Sequence, residues 1–133
     1  MVEVQAAHLV RNGIATVFIG GSTGESHSLT VDERRALARR WFEVVRGGEL
    51  RVVVHVGSNC LAYACWLARE AQTGGATAIS ALAPSYSKPT TLEALIAGLA
   101  EIAGSAPETP SLFARFPGWP GVAWVFPGFP RPR

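Results

Sequence analysis

The residues best placed to do chemistry are Gly20, Gly21, Ser22, Thr23, Gly24, Glu25 and Ser26, one unbroken run of small and polar types. Side chains this small leave backbone amides open, and Ser22 and Thr23 add hydroxyl donors. A carboxylate or phosphate oxygen suits such a cluster. The run is not a Walker A loop, because no Gly-Lys-Ser/Thr follows, and it is not the dinucleotide fingerprint, because the third glycine is missing. An ordinary glycine-rich turn has the same composition. A second segment, Pro84-Ser85-Tyr86-Ser87-Lys88-Pro89, offers a phenol and an amine in what reads as a rigid turn. Eleven of the twelve cationic side chains are arginine, so any lysine chemistry in this sequence must use Lys88. His55, inside an apolar run, reads as a hydrogen-bonded core histidine rather than a base. His8 and His27 have no partner signal. Cys60 and Cys65 lack a Cys or His at metal-ligand spacing and read as two buried free thiols, with no metal site.

These loops need elements to hold them. Val4, Ala7 and Val10 have helical spacing over 2–11, and Asn12-Gly13 stops that helix before an apolar strand at 15–19. Thr30 and Glu33 form a capping box that opens a helix to about Arg46, with Asp32 and Glu33 in its first turn and Arg46 in its last. Arg51–Val56 reads as a strand, Leu61–Gln72 as a helix and Ala78–Leu82 as a strand. Thr90 and Glu93 predict a second capping box, with Leu95, Ile96, Leu99 and Ile102 as the apolar stripe, and Ser111–Phe116 as a fourth strand. Continuously apolar strands are buried on both faces, which predicts a parallel sheet and the α/β class. In parallel α/β proteins ligands sit at the carboxyl ends of the strands, where both the glycine loop and the Tyr86 loop fall.

The chain has 133 residues, is 48% hydrophobic and 17% charged, and carries a formal net charge of +2. That length fits one domain, and that balance gives no pull toward nucleic acid or an anionic membrane. Glu3 and Gln5 stand where a signal peptide would be basic then apolar, and no apolar run spans a bilayer, so the expected location is cytoplasmic. From Pro117 the composition changes to five prolines, three glycines and four large aromatics in seventeen residues. The expected division is therefore a folded unit over 1–116 and an irregular tail over 117–133, in which Trp119, Trp124, Phe126 and Phe129 are poorly suited to water.

Four spaced motifs, Gly21-Ser22-Thr23-Gly24-Glu25-Ser26, Leu29-Thr30-x-x-Glu33-Arg34, His55-Val56-Gly57 and Ala83-Pro84-x-Tyr86-x-Lys88-Pro89, together resemble the N-acetylneuraminate lyase branch of the dihydrodipicolinate synthase family over about 4–112. The resemblance implies a (β/α)₈ TIM barrel, of which this sequence supplies about strands two to five of eight. It implies retro-aldol cleavage of sialic acid to N-acetylmannosamine and pyruvate, through a Schiff base on a sixth-strand lysine and with no separate cofactor. It also implies that Ser22 and Thr23 hold the pyruvate or sialic acid carboxylate, that Gly21, Gly24 and Glu25 support them, and that Tyr86 reaches toward a neighbouring subunit of a homo-oligomer.

The departures are as specific as the match. The sixth-strand lysine has no counterpart, the family's catalytic tyrosine position holds Ala114, next to Arg115, and the motif likeness stops near Leu112. Two classes follow. One is an enzyme by descent, a truncated lyase that is catalytically incomplete. The other is a non-enzymatic truncated form that associates with full-length lyase subunits.

Overall fold

The computed structural model describes residues 1–113. Helix α1 (Val2–Arg11) leads into strand β1 (Thr16–Ile19), followed by a 3₁₀ turn at Ser26–Ser28, α2 (Val31–Val45), β2 (Arg51–His55), α3 (Leu61–Gly74), β3 (Ala78–Ala81), α4 (Leu92–Gly104) and β4 (Ser111–Phe113). The sheet is parallel throughout, in the order β1-β2-β3-β4. Right-handed crossovers between strands laid down in one direction put every helix on the same side. Val17, Ile19, Val52, Val54, Ile79 and Ala81 accordingly pack with Ala6, Trp41, Leu67, Ala68 and Ile102 from the four helices into one core. A sheet covered by helices on a single face is the arrangement of a barrel wall, not of a doubly wound sheet, which has helices on both.

The alternate residues, Phe18, Val53, His55, Ala78, Ser80 and Leu112, fall on the helix-free face. In the central strands this face too is closed, with Val53, His55, Ala78 and Ser80 all buried, as a continuously apolar strand predicts. At the edges that expectation fails. Phe18 is 51% exposed and Leu112 52%, because β1 and β4 each have a neighbouring strand on one side only among the described residues.

Local rules account for most element ends. Asn12 caps α1 and Gly13 takes φ +72°, a left-handed conformation that glycine adopts without steric cost. At α2 the expected box is present: the Glu33 amide donates to Thr30 Oγ1 at 3.2 Å, and the Thr30 amide donates to Glu33 Oε2 at 2.8 Å. Arg46 is the residue after the last turn rather than a member of it. The second box is corrected. Thr91, not Thr90, caps α4, its hydroxyl accepting from the Ala94 amide at 3.2 Å. That shift leaves Glu93 one position too early to reach back to the cap. Cys60 is also exposed, while Cys65 is buried as expected. The last three residues of the expected fourth strand, Ala114 to Phe116, and the whole of 117–133 lie outside the described residues.

Candidate functional site

The carboxyl ends of β1, β2 and β3 carry three loops, and specific contacts fix each one. Gly20 leaves β1 at φ +68°, with the position a Cβ would take 3.4 Å from the His55 carbonyl. The chain then folds inward on its own backbone: the Glu25 amide donates to the Ser22 carbonyl at 3.0 Å, and the Ser26 amide to the Gly21 carbonyl at 3.3 Å. Glu25 closes the turn at φ +54°, a left-handed conformation seldom taken by a residue with a side chain. With the carbonyls of Gly21 and Ser22 turned into these bonds, Ser22 and Thr23 stand exposed beyond the end of the strand.

Sequence reasoning missed what joins helix α2 to the end of β2. Arg34 is buried, and its guanidinium donates from Nη2 to the His55 carbonyl at 2.8 Å and from Nη1 to the Gly57 carbonyl at 2.9 Å. Two strand-end carbonyls that lack ladder partners are thereby satisfied from helix α2. Burial lowers the Arg34 pKa. A signal was available, since Arg34 lies on the same helical stripe as Val31, Ala38 and Trp41, where a charged residue has to find partners.

His55 is buried, as expected, yet not fully hydrogen-bonded, for its Nδ1 has no partner among the described residues. Its ring lies 6.1 Å from that of Phe18. Desolvation first, then the Arg34 charge and then His27, pushes its pKa down from 6.5 to about 4. A ring held neutral and enclosed is a packing element, which agrees with the core reading. Gly57 shows why no larger residue follows: a Cβ there would sit 2.9 Å from both Cε1 and Nε2 of His55 and 3.2 Å from the Leu82 amide. Gly57→Ala is expected to destabilise the fold by about 1–3 kcal/mol through overpacking, read as a lower denaturation midpoint with an unchanged slope.

The third loop is held by Asn59, a second residue the sequence did not single out. Its Oδ1 accepts from the Ser85 amide at 2.9 Å and the Tyr86 amide at 3.1 Å. The backbone of Tyr86 is thus pinned while its ring is 89% exposed. Lys88, in the same loop, is exposed as well. Ser22 and Thr23 therefore share one loop with Gly21, Gly24 and Glu25, whereas Tyr86 is presented from another. A cleft of about 580 Å³ with a mixed polar and apolar lining lies between the 3₁₀ turn and the starts of α2 and α3, and neither hydroxyl lines it; Thr23 and Gly24 instead border an open groove of about 630 Å³ along α1 and β1. No three His, Cys, Asp or Glu residues converge at metal-binding distance among the described residues. No helix among them is long and apolar enough to cross a membrane.

Comparison with known proteins agrees with this geometry. The profile of the dihydrodipicolinate synthetase family matches residues 2–124, past Leu112 where the motif likeness stops. The N-acetylneuraminate lyase of Danio rerio is 41% identical over 85% of this chain, and that alignment covers 37% of the lyase. Across the vertebrate lyases compared, the chain spans from 34% to 47% of their length. The wild-type sialic acid aldolase of Ruminococcus gnavus superposes on 93% of the chain with a TM-score of 0.86 and 29% identity, over 40% of its own length. A prophage protein of the dihydrodipicolinic acid synthase family from E. coli K12, solved in complex with pyruvate, covers 88% of the chain and 38% of its own length, with a TM-score of 0.79 and 28% identity.

Proposed function

The chain belongs to the dihydrodipicolinate synthetase family, and on that premise we propose that its glycine loop is the carboxylate-holding part of a pyruvate-handling lyase site of the N-acetylneuraminate lyase type. The observation that carries the reading is the loop after β1. Its carbonyls are turned inward by the Glu25 and Ser26 amides, and the Ser22 and Thr23 hydroxyls are left exposed at the carboxyl end of a parallel strand. Donors without acceptors at that position match an anionic oxygen. Gly21 and Gly24 keep the turn tight and Glu25 closes it, while Arg34 ties the start of α2 to the end of β2.

In the proposed reaction, sialic acid is cleaved to N-acetylmannosamine and pyruvate by a retro-aldol step, with a protonated imine as the electron sink. The residues of this chain supply only the carboxylate grip. By the motif resemblance Ala114 stands where the family has its catalytic tyrosine, so no residue of this sequence fills that role in the proposal.

NMR titration with pyruvate tests the grip. Shifts are expected at Ser22, Thr23 and Gly24 in the millimolar range, and Ser22→Ala combined with Thr23→Val should abolish them. A folded sample with no shift at these three residues up to about 10 mM pyruvate, a concentration at which even weak single-anion sites fill, would remove the binding role.

The second reading, a non-enzymatic chain that associates with lyase subunits, is favoured by one observation: Tyr86 is almost fully exposed on a loop whose backbone Asn59 holds fixed. Large rigid aromatics displayed in this way are common interface anchors.

A further inference from the structure

Two consecutive glycines open the loop after β1, and only the first is explained by its backbone. Gly20 takes φ +68°, where a side chain is strained, whereas Gly21 has no left-handed φ. What excludes a side chain at Gly21 is a ring. A Cβ there would sit 2.6 Å from Cε1 of Phe18 and 3.3 Å from its Cδ1, closer than van der Waals contact allows. We propose that Phe18 is a positioning residue for the glycine loop, and that through Gly21 its ring sets where Ser22 and Thr23 stand above the end of β1.

Both ends of the Ser22-Thr23 pair are tied to Gly21. Gly24 folds back on the same peptide, since a Cβ there would lie 3.5 Å from the Gly21 carbonyl oxygen and 3.7 Å from the Gly21 nitrogen, an ordinary contact. The buried Ser26 closes the turn by donating its amide to the Gly21 carbonyl at 3.3 Å. Displacing Gly21 therefore displaces both hydroxyls together. The ring beneath it is braced in turn. Its centroid is 6.1 Å from that of the buried His55 ring, with the planes tilted by 37°, a separation usual for packed aromatic pairs. His55 is itself covered by Gly57, whose Cβ position lies 2.9 Å from the ring. Support runs from β2 through two rings to the loop.

The ring acts by shape alone, so the role belongs to its outer atoms. Cε1, the atom nearest Gly21, has no counterpart in leucine and is kept in tyrosine. A side chain that merely filled space would tolerate leucine. What the loop holds rests on the carboxylate reading above, whereas how the loop is held can be measured without a ligand.

Amide exchange and pyruvate titration of the purified 133-residue chain, both followed by NMR, test the role. In Phe18→Leu the Ser26 amide should exchange about tenfold faster while the amides of β2 and β3 keep their protection. The pyruvate concentration that gives half of the shift at Ser22 and Thr23 should rise about tenfold, the size of one hydrogen bond to a charged oxygen. Phe18→Tyr should match the wild type in both readouts. Gly21→Ala should loosen the loop as well, yet combined with Phe18→Leu it should return both readouts to within about threefold of the wild type, because the added methyl group takes the place of the lost ring edge. Unchanged Ser26 exchange in Phe18→Leu would overturn the proposal, as would equal acceleration at Ser26 and throughout β2 and β3, which would make the ring a general packing element. It would also fail if the Phe18→Leu and Gly21→Ala effects simply added, if Phe18→Tyr were as loose as Phe18→Leu, or if Phe18→Leu left the half-shift concentration of a binding wild type unchanged. A wild-type chain with no pyruvate shift removes the carboxylate reading alone, and Ser26 exchange across the same four variants then decides whether Phe18 positions the loop.

Discussion

Lowering the pH from about 6.5 to 4 is expected to cost the fold about 3 kcal/mol through His55 alone. Burial and the neighbouring Arg34 charge hold the folded ring neutral down to about pH 4, whereas the unfolded ring takes up its proton near 6.5. Between those values the unfolded state binds more protons than the folded one, so stability rises with pH across the window and falls as the solution is acidified. Below about pH 4 the full penalty is present. The carboxylates with lowered pKa values, Glu3 in the first turn of α1, Glu33 at the α2 cap and Glu70 beside Arg35, are protonated in the unfolded chain before the folded one as pH falls through 4.5, so their losses come in that lower range. Urea denaturation at fixed protein concentration, repeated at half-unit pH steps, measures the slope. His55→Leu should flatten it between pH 6.5 and 4.5 while leaving the loss below 4.5 in place. A wild-type profile flat down to 4.5 would show that the ring is protonated in the fold and that its environment is wetter than the structure makes it.

The second large effect is on catalysis. On the proposed reading, the 133-residue chain by itself should show no turnover of sialic acid and no reducible adduct with pyruvate. Retro-aldol cleavage leaves an electron pair on the carbon that becomes the pyruvate methyl group. Without an iminium to receive that pair, the barrier remains close to that of the uncatalysed reaction, commonly at least 10⁶-fold slower. The only amine on a lysine in this sequence is that of Lys88, which sits on the exposed loop after β3 rather than at a strand end. Incubation with pyruvate, borohydride reduction and intact-mass measurement should therefore return the unmodified mass. An adduct mapped to Lys88 would show that this loop had taken over imine formation. Co-sedimentation of this chain with a full-length lyase, with no gain in activity per lyase subunit, would support the partner-subunit reading.

Sequence patterning made the parallel sheet and its helices legible, because each helix and each central strand has an apolar period and a stop signal of its own. RVVVHV, of which β2 takes all but Val56, and the Thr30–Glu33 box at α2 are local statements that the structure repeats closely. The edges were not legible in the same way. Phe18 and Leu112 are as apolar as Val53, and only the position of their strand in the sheet decides that they meet water. Among the candidate site residues, Ser22 and Thr23 could be proposed from composition because a loop is contiguous in sequence. Arg34 and Asn59 act at a distance of twenty or more positions, on carbonyls and amides that any sequence would offer, so residue type alone gave no reason to pair them with Gly57 or Ser85. The misplaced α4 cap has a simpler cause. Thr90 and Thr91 are adjacent and equally able to cap, and the choice rests on which hydroxyl reaches an amide.

The principal contacts run between successive strands and between successive helices, each unit against the one before and the one after. Stability in such a molecule is close to a sum of nearest-neighbour terms, as in a linear array. The units need not melt together. The central β2-α3-β3 unit has neighbours on both sides, whereas β4 is a three-residue strand secured to the rest by its pairing with β3 and by Gln72, whose Oε1 accepts from the Glu108 amide at 2.9 Å. Opening should therefore begin at the ends and travel inward, with the His55–Arg34 junction among the last contacts to part.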